Sequence, residues 1–193
     1  MADATVTGLV LAGGRATRMG GVDKGLQAWR GVALVDHVIA RLAPQVAGVL
    51  VNANRNVADY AARGWPVVGD ADASFSGPLA GVLAGLRAAR TPWLAVVPCD
   101  VPKVPEDLVA RLAAGAGPGG AYVVRDDDDG RERVEPLCCL LPVDRAPVLA
   151  QALAEGRRRV EDFLREAGAV AVRFDRASDR PAFANFNVLA DLA

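Results

Sequence analysis

Apolar runs alternate with helix-spaced segments through the first half of the chain, and that alternation leaves few folds open. Val6 to Leu11, Val46 to Val51, Pro66 to Val68 and Trp93 to Val97 read as strands. Between them Leu34, Val35, Val38, Ile39 and Leu42 keep helical spacing, as do Leu79, Val82, Leu83 and Leu86. Ser76-Gly77-Pro78 reads as a helix start, with proline tolerated in the first turn. Strand–helix alternation predicts a parallel sheet with right-handed crossovers. Near-continuous apolar strands predict that both sheet faces are covered by helices.

The second half changes pattern. Ala121–Arg125 and Val134–Leu141 read as strands joined by the acidic turn Asp126-Asp127-Asp128-Asp129-Gly130. Helical spacing follows at Ala146–Leu153 and Val160–Leu164, then a strand at Ala169–Phe174 and a short helix at Val188–Leu192. Ala114–Gly120 is read as a loop within one domain. The expectation is an α/β, Rossmann-like, mostly parallel sheet with helices on both faces and a short antiparallel pair in the second half. At 193 residues it forms a single domain.

The first strand runs into Leu11-Ala12-Gly13-Gly14-Arg15-Ala16-Thr17-Arg18-Met19-Gly20-Gly21-Val22-Asp23-Lys24. Glycines let backbone N–H groups approach an anion, and Arg15, Arg18 and Lys24 add positive charge. This is a polyphosphate cradle at the carboxyl end of a strand, where open α/β sheets bind ligands. A Walker A loop is excluded, because Gly25 follows Lys24 where a Ser or Thr would hold Mg²⁺. A dinucleotide fingerprint is excluded by the adjacent Gly13 and Gly14 and by Ala16 in the third-residue slot. Three cations suit charge that must be neutralised during a reaction.

Polar residues close the other strands. Asp100 follows the fourth; it suits a Mg²⁺ ligand that shares the ion with substrate phosphates, or else a helix cap for the segment after Pro105. Asn52 and Asn54 follow the second, as base- or ribose-reading amides or as caps. Asp70 follows the third. The small residues of Gly77-Pro78-Leu79-Ala80-Gly81 suit close backbone approach or tight helix packing. Asp126 to Asp129 reads as a solvated hairpin tip. Arg157-Arg158-Arg159 is either an exposed helix start or a second anion contact, and the amides of Asn185-Phe186-Asn187 line a cleft or cap the last helix. His37, the single histidine, has no catalytic role, so histidine-based nucleophilic catalysis is excluded.

A net charge of −1 excludes a global basic field for nucleic acid. No apolar run is long enough to span a membrane. The N-terminus lacks the basic and apolar regions of a signal peptide. Cys138 and Cys139 are adjacent and would face opposite sides of a strand, which argues against a disulfide framework and for a reducing cytoplasm.

Leu11 to Lys24, Asn52-Ala53-Asn54, Asp70, Gly77 to Gly81, Cys99-Asp100, Gly156 to Val160 and Phe183 to Asn187 together resemble the molybdenum cofactor guanylyltransferases, the MobA-type nucleotidyltransferases. The resemblance implies a nucleotide-diphospho-sugar transferase-like fold, with residues 1–105 binding nucleotide and 106–193 binding the acceptor. It implies transfer of GMP from GTP to the phosphate of molybdopterin, or its molybdenum form, with pyrophosphate release and Mg²⁺ as cofactor. Leu11, Ala12, Gly13, Gly14, Arg15, Lys24, Asn52, Asp70, Gly81 and Asp100 would then contact GTP. Asp100 would hold the metal, and Arg18, Lys24 and Asp100 would carry catalysis. Arg158, Arg159, Asn185 and Asn187 would face the pterin. The enzyme would be a cytoplasmic monomer that touches molybdenum-insertion or molybdoenzyme-maturation proteins transiently. Val134-Glu135-Pro136-Leu137 and the four-Asp turn depart from the family pattern. Two rival readings are a CTP-dependent enzyme acting on molybdopterin or a sugar or polyol phosphate, and a non-catalytic nucleotide-binding protein.

Overall fold

A computed structural model describes residues 3–12, 23–70, 77–127 and 129–186. One sheet of seven strands organises them: β1 (Asp3–Leu11), β4 (Val46–Asn52), β5 (Val67–Val68), β6 (Trp93–Pro98), β7 (Ala121–Asp126), β8 (Glu132–Pro142) and β9 (Val170–Arg173). Their order across the sheet is β5-β4-β1-β6-β8-β7-β9. β8 is antiparallel to both β6 and β7, while every other pairing is parallel. The expected antiparallel pair is therefore built into the main sheet. A separate two-stranded hairpin, β2 (Ala28–Trp29) and β3 (Val32–Ala33), turns through Arg30 and Gly31, both at positive φ.

The strands alternate between two cores. Val6 and Val10 of β1 and Ala95 and Val97 of β6 face one side, where α1 (Leu34–Leu42), α2 (Val57–Ala61) and α4 (Leu108–Gly115) pack. Leu9, Leu11, Leu94 and Val96 face the other, beneath α3 (Pro78–Ala88), α5 (Ala146–Ala154) and α6 (Val160–Glu166). Burial on both faces explains why the central strands read as unbroken apolar runs. Cys138 and Cys139 fall in opposite cores, as their adjacency on a strand requires.

Several element bounds differ from expectation for identifiable reasons. β1 begins at Asp3 rather than Val6 because Asp3 already pairs with Val46 of β4, ahead of a register shift that ends at Thr7. β8 begins at Glu132, where charged residues still pair with β7. α4 extends into the segment read as the Ala114–Gly120 loop. The expected helix at Val188–Leu192 lies outside the described residues. Among the described residues, no helix is long and apolar enough to cross a membrane.

Chain direction fixes which groups share one end of the sheet. β8 ends at Pro142 opposite Trp93, the start of β6, and β9 starts at Val170 opposite Ala121, the start of β7. α5 thus leaves the far end and α6 returns to it. Both helices pack on the face that α3 covers.

Candidate active site

Leu11 and Ala12 leave β1 held on both sides. The Ala12 N–H donates to the Asn52 carbonyl at 2.8 Å, and the Cys99 N–H donates to the Leu11 carbonyl at 3.0 Å. The ladder carries the start of the glycine-rich loop between the ends of β4 and β6. Gly13, Gly14, Arg15 and Arg18 lie outside the described residues, as does Asn187.

Lys24 opens a short 3-10 turn, Lys24–Leu26. Its ammonium donates to Asp100 Oδ2 at 2.7 Å. A cation from the loop after β1 and a carboxylate from the end of β6 thus meet beside the central strand. The cap reading of Asp100 fails: α4 begins only at Leu108, with Asp107 at its N-cap position. Among the described residues no group of three or more His, Cys, Asp or Glu forms a metal cage. A single carboxylate at a strand end suits a divalent ion that arrives on nucleotide phosphates.

Asn52 and Asn54 do not cap α2, whose N-cap residue is Asn56. Asn52 is buried. Its Nδ2 donates to the Val68 carbonyl at 3.1 Å and to Asp70 Oδ1 at 3.0 Å. Asn54 Oδ1 accepts from the Asp70 N–H at 2.8 Å. Both amides therefore clamp the end of β5 and orient Asp70. Gly81 lies in the first turns of α3 against this clamp: a Cβ there would stand 2.2 Å from Asn52 Oδ1. Its part is to admit Asn52. α3 starts at Pro78 after Gly77 at φ 106, a conformation that favours glycine.

The C-terminal segment reaches the same place. The Phe186 N–H donates to the Asp100 carbonyl at 3.0 Å, and Phe186 is buried with Trp29 and Leu34. Its ring meets Trp29 edge-on at 4.9 Å, and Lys103 Nζ lies 5.5 Å and 5.7 Å from the two ring centres. Asn185, one residue away, is exposed beside Asp100. His37 Nε2 lies 2.9 Å from the Trp29 carbonyl, a structural contact.

The three arginines divide. Arg157 is taken by Glu155 and Glu166, so it does not serve as an anion contact. Arg158 reaches the Leu153 carbonyl at 3.4 Å, and Arg159 is exposed at the N-cap of α6. The acidic hairpin is more than a solvated tip. Asp127 accepts from the Asp129 and Arg131 N–H groups and from Arg133, and Asp126 pairs with Arg173.

Two features escaped the sequence. Arg125 and Glu135 form a half-buried pair at 2.8 Å, where β8, paired with β7 on its other side, runs past the end of β6. Burial pushes the Glu135 carboxyl up, Arg125 opposes this, and the nearby Asp100 charge adds to it. The other is Asp23, which is buried and accepts from the Tyr60 hydroxyl at 2.6 Å and from Asn56 at 2.9 Å. Asp23 caps a three-residue turn and Tyr60 lies on a five-residue helix, neither with a period to read, whereas Arg125 and Glu135 lie on strands the sequence marks but are paired only by the register between them.

Residues 8–171 match the sequence profile of the MobA-like NTP transferase domain. Proteins named molybdenum cofactor guanylyltransferase from Ralstonia nicotianae and from Cupriavidus necator are each 47% identical, covering 97% of this chain and 94% of their own. In structure, the molybdopterin-guanine dinucleotide biosynthesis protein A of Archaeoglobus fulgidus superposes with a TM-score of 0.72 at 21% identity, over 96% of this chain and 94% of that one. A 4-diphosphocytidyl-2C-methyl-D-erythritol synthase superposes with 0.70 at 16%, over 97% and 96%. At those identities the structural likenesses establish the fold alone.

Proposed function

The chain belongs to the MobA-like NTP transferase family, and from that footing we propose that it transfers GMP from GTP to the terminal phosphate of molybdopterin. An acceptor phosphate oxygen attacks the α-phosphorus of GTP. The bond from that phosphorus to the bridging oxygen breaks, and pyrophosphate leaves with both electrons of that bond. A phosphate monoester has a second pKa of about 6, so the nucleophile is ionised at neutral pH and no general base is required. This agrees with a site whose one histidine is structural.

The difficulty is bringing an anion onto a polyanion. The observation that carries the proposal is the Lys24–Asp100 pair at 2.7 Å, beside the carboxyl end of β1. Lys24 would turn from Asp100 to the phosphates and offset charge on the leaving pyrophosphate. Asp100 would hold Mg²⁺, which supplies charge neutralisation at the phosphoryl oxygens. Leu11 and Ala12 present backbone at the loop entrance, and Asp70, oriented by Asn52 and Asn54, stands at the nucleoside side. Gly13, Gly14, Arg15 and Arg18 belong to the phosphate cradle. Asn185, Asn187, Arg158 and Arg159 would contact the pterin.

The test is pyrophosphate release from each of the four NTPs with Mg²⁺ and purified molybdopterin. Release with GTP alone, dependent on the pterin, is expected. Release with CTP would overturn the base assignment, and no release with any NTP would overturn the transfer reaction.

A further inference from the structure

We propose that Tyr60 and Asp23 are positioning residues for Lys24, through a buried phenol–carboxylate hydrogen bond that sets the turn from which the lysine acts. The inference rests on the reading of Lys24 as the phosphate-side cation. Tyr60 sits on α2, fully buried, and its hydroxyl donates to Asp23 Oδ1 at 2.6 Å. The same oxygen accepts the Gly25 N–H at 3.2 Å, capping the Lys24–Leu26 turn. Oδ2 accepts Asn56 Nδ2 at 2.9 Å. Three donors thus converge on one buried carboxylate, which satisfies a charge that would be costly to bury alone. Lys24 lies between the carboxylate and the amide it caps, so the network fixes the backbone on both sides of it.

Simple core filling does not account for this arrangement. Asn56 holds φ +49, in the left-handed region, and uses its amide on Asp23 instead of capping α2. At Gly25 a Cβ would stand 2.5 Å from the Tyr60 hydroxyl oxygen, but 3.4 Å from the ring carbon that bears it. For a Cβ at position 25 the hydroxyl oxygen is the one severe clash, the next atoms standing at 3.4 Å and 3.5 Å. The glycine beside the lysine and the phenol on α2 are therefore matched, 35 positions apart by residue number. Since α2 follows the Asn52–Asn54 clamp, the network also ties the nucleoside side of the site to its phosphate side.

The chain has only two lysines, Lys24 and Lys103, so side-chain ¹⁵N NMR of lysine-labelled protein reads Lys24 separately. In Tyr60→Phe the Lys24 signal moves, the Lys103 signal does not, and kcat for pyrophosphate release falls roughly tenfold to a hundredfold. Gly25→Ala has the same effect alone, but Tyr60→Phe/Gly25→Ala is no worse than Tyr60→Phe, because the clashing oxygen is gone. A structural role alone gives additive losses and leaves the Lys24 signal in place, and that result overturns the proposal. Should Tyr60→Phe not fold, Gly25→Ala is judged on the same signal. Lys24→Ala keeps the two readings apart. Full turnover in that variant refutes the role of Lys24, while the NMR signal still decides whether Tyr60 positions it.

Discussion

Lys24 Nζ and Asp100 Oδ2 stand 2.7 Å apart, although 76 positions separate them in the chain. Both side chains keep about a quarter of their surface in water, at 24% and 22% exposed. Water still screens the pair on its open side, so its contribution to stability is small, on the order of 1 kcal/mol. In the proposed reaction its value lies in chemistry. Asp100→Ala is expected to lower pyrophosphate release by roughly a hundredfold or more, with a melting temperature close to that of the parent. Near-normal turnover would remove Asp100 from the reaction, and a collapse in melting temperature would make it a structural residue.

Gly81→Ala is expected to act through Asn52. The new methyl would stand 2.2 Å from Asn52 Oδ1 and 2.9 Å from Leu11 Cδ2. Overpacking of that kind costs about 1–3 kcal/mol. The KM for GTP should rise with it, since Asn52 orients Asp70. Denaturant unfolding and GTP titration of the variant check both effects, and Asn52→Ala in the same background should relieve part of the stability loss.

Phe186→Ala separates the C-terminal segment from Trp29. The ring is held by an edge contact at 4.9 Å and by Leu34. The loss should appear as local opening of residues 184–186 rather than as a lower melting temperature, because the segment joins no strand of the sheet. Amide exchange at position 186, whose N–H donates to the Asp100 carbonyl, should accelerate. The KM for the pterin should rise more than the KM for GTP, and equal rises would place the segment on the nucleotide side.

Alkaline pH should destabilise the fold through groups that titrate late. Burial, with the Asp100 charge adding to it, pushes the Cys99 thiol from 9.0 up to about 12. Burial alone takes Cys139 from 9.0 to about 12, and burial also raises Cys138 and Tyr60. Above pH 9 the unfolded chain releases thiol protons that the folded chain retains. Stability is therefore fully present below pH 9 and is lost as pH rises toward 12, by up to about 1.4 kcal/mol per pH unit for each thiol. Guanidinium unfolding between pH 8 and 11 measures the slope. A flat profile would show that these thiols ionise in the native state.

What the sequence revealed follows from where the apolar signal is strong. Leu94–Val97 is buried on both faces, so its composition alone marks it, and Asp100 was legible as the polar residue ending such a run; Val46–Val51 read as a strand although Ala47 and Gly48 are exposed, because both are apolar. α2 has five residues and starts from a left-handed Asn56, too short for any period. The hairpin at Ala28–Ala33 has two residues per strand, and its Arg30-Gly31 turn was the one available signal. Asp23 sits in the motif that was read, yet its partner Tyr60 is 37 positions away, and no local pattern predicts such a pairing. Arg157 read as open to an anion although Glu155, two residues before it, already pairs with it; the second partner, Glu166, comes from the far end of α6.

The bond from the Phe186 amide to the Asp100 carbonyl makes donor and acceptor handling severable. A proteolytic cut between Phe183 and Phe186 would fall in a stretch that joins none of the described strands and takes no part in the Lys24–Asp100 pair. It would release Asn185 and Asn187, the amides proposed to contact the pterin, along with the Phe186 ring that covers Trp29. Such a nicked protein should retain GTP and fail to hand it on, a trapped half-reaction that equilibrium dialysis with labelled GTP would reveal.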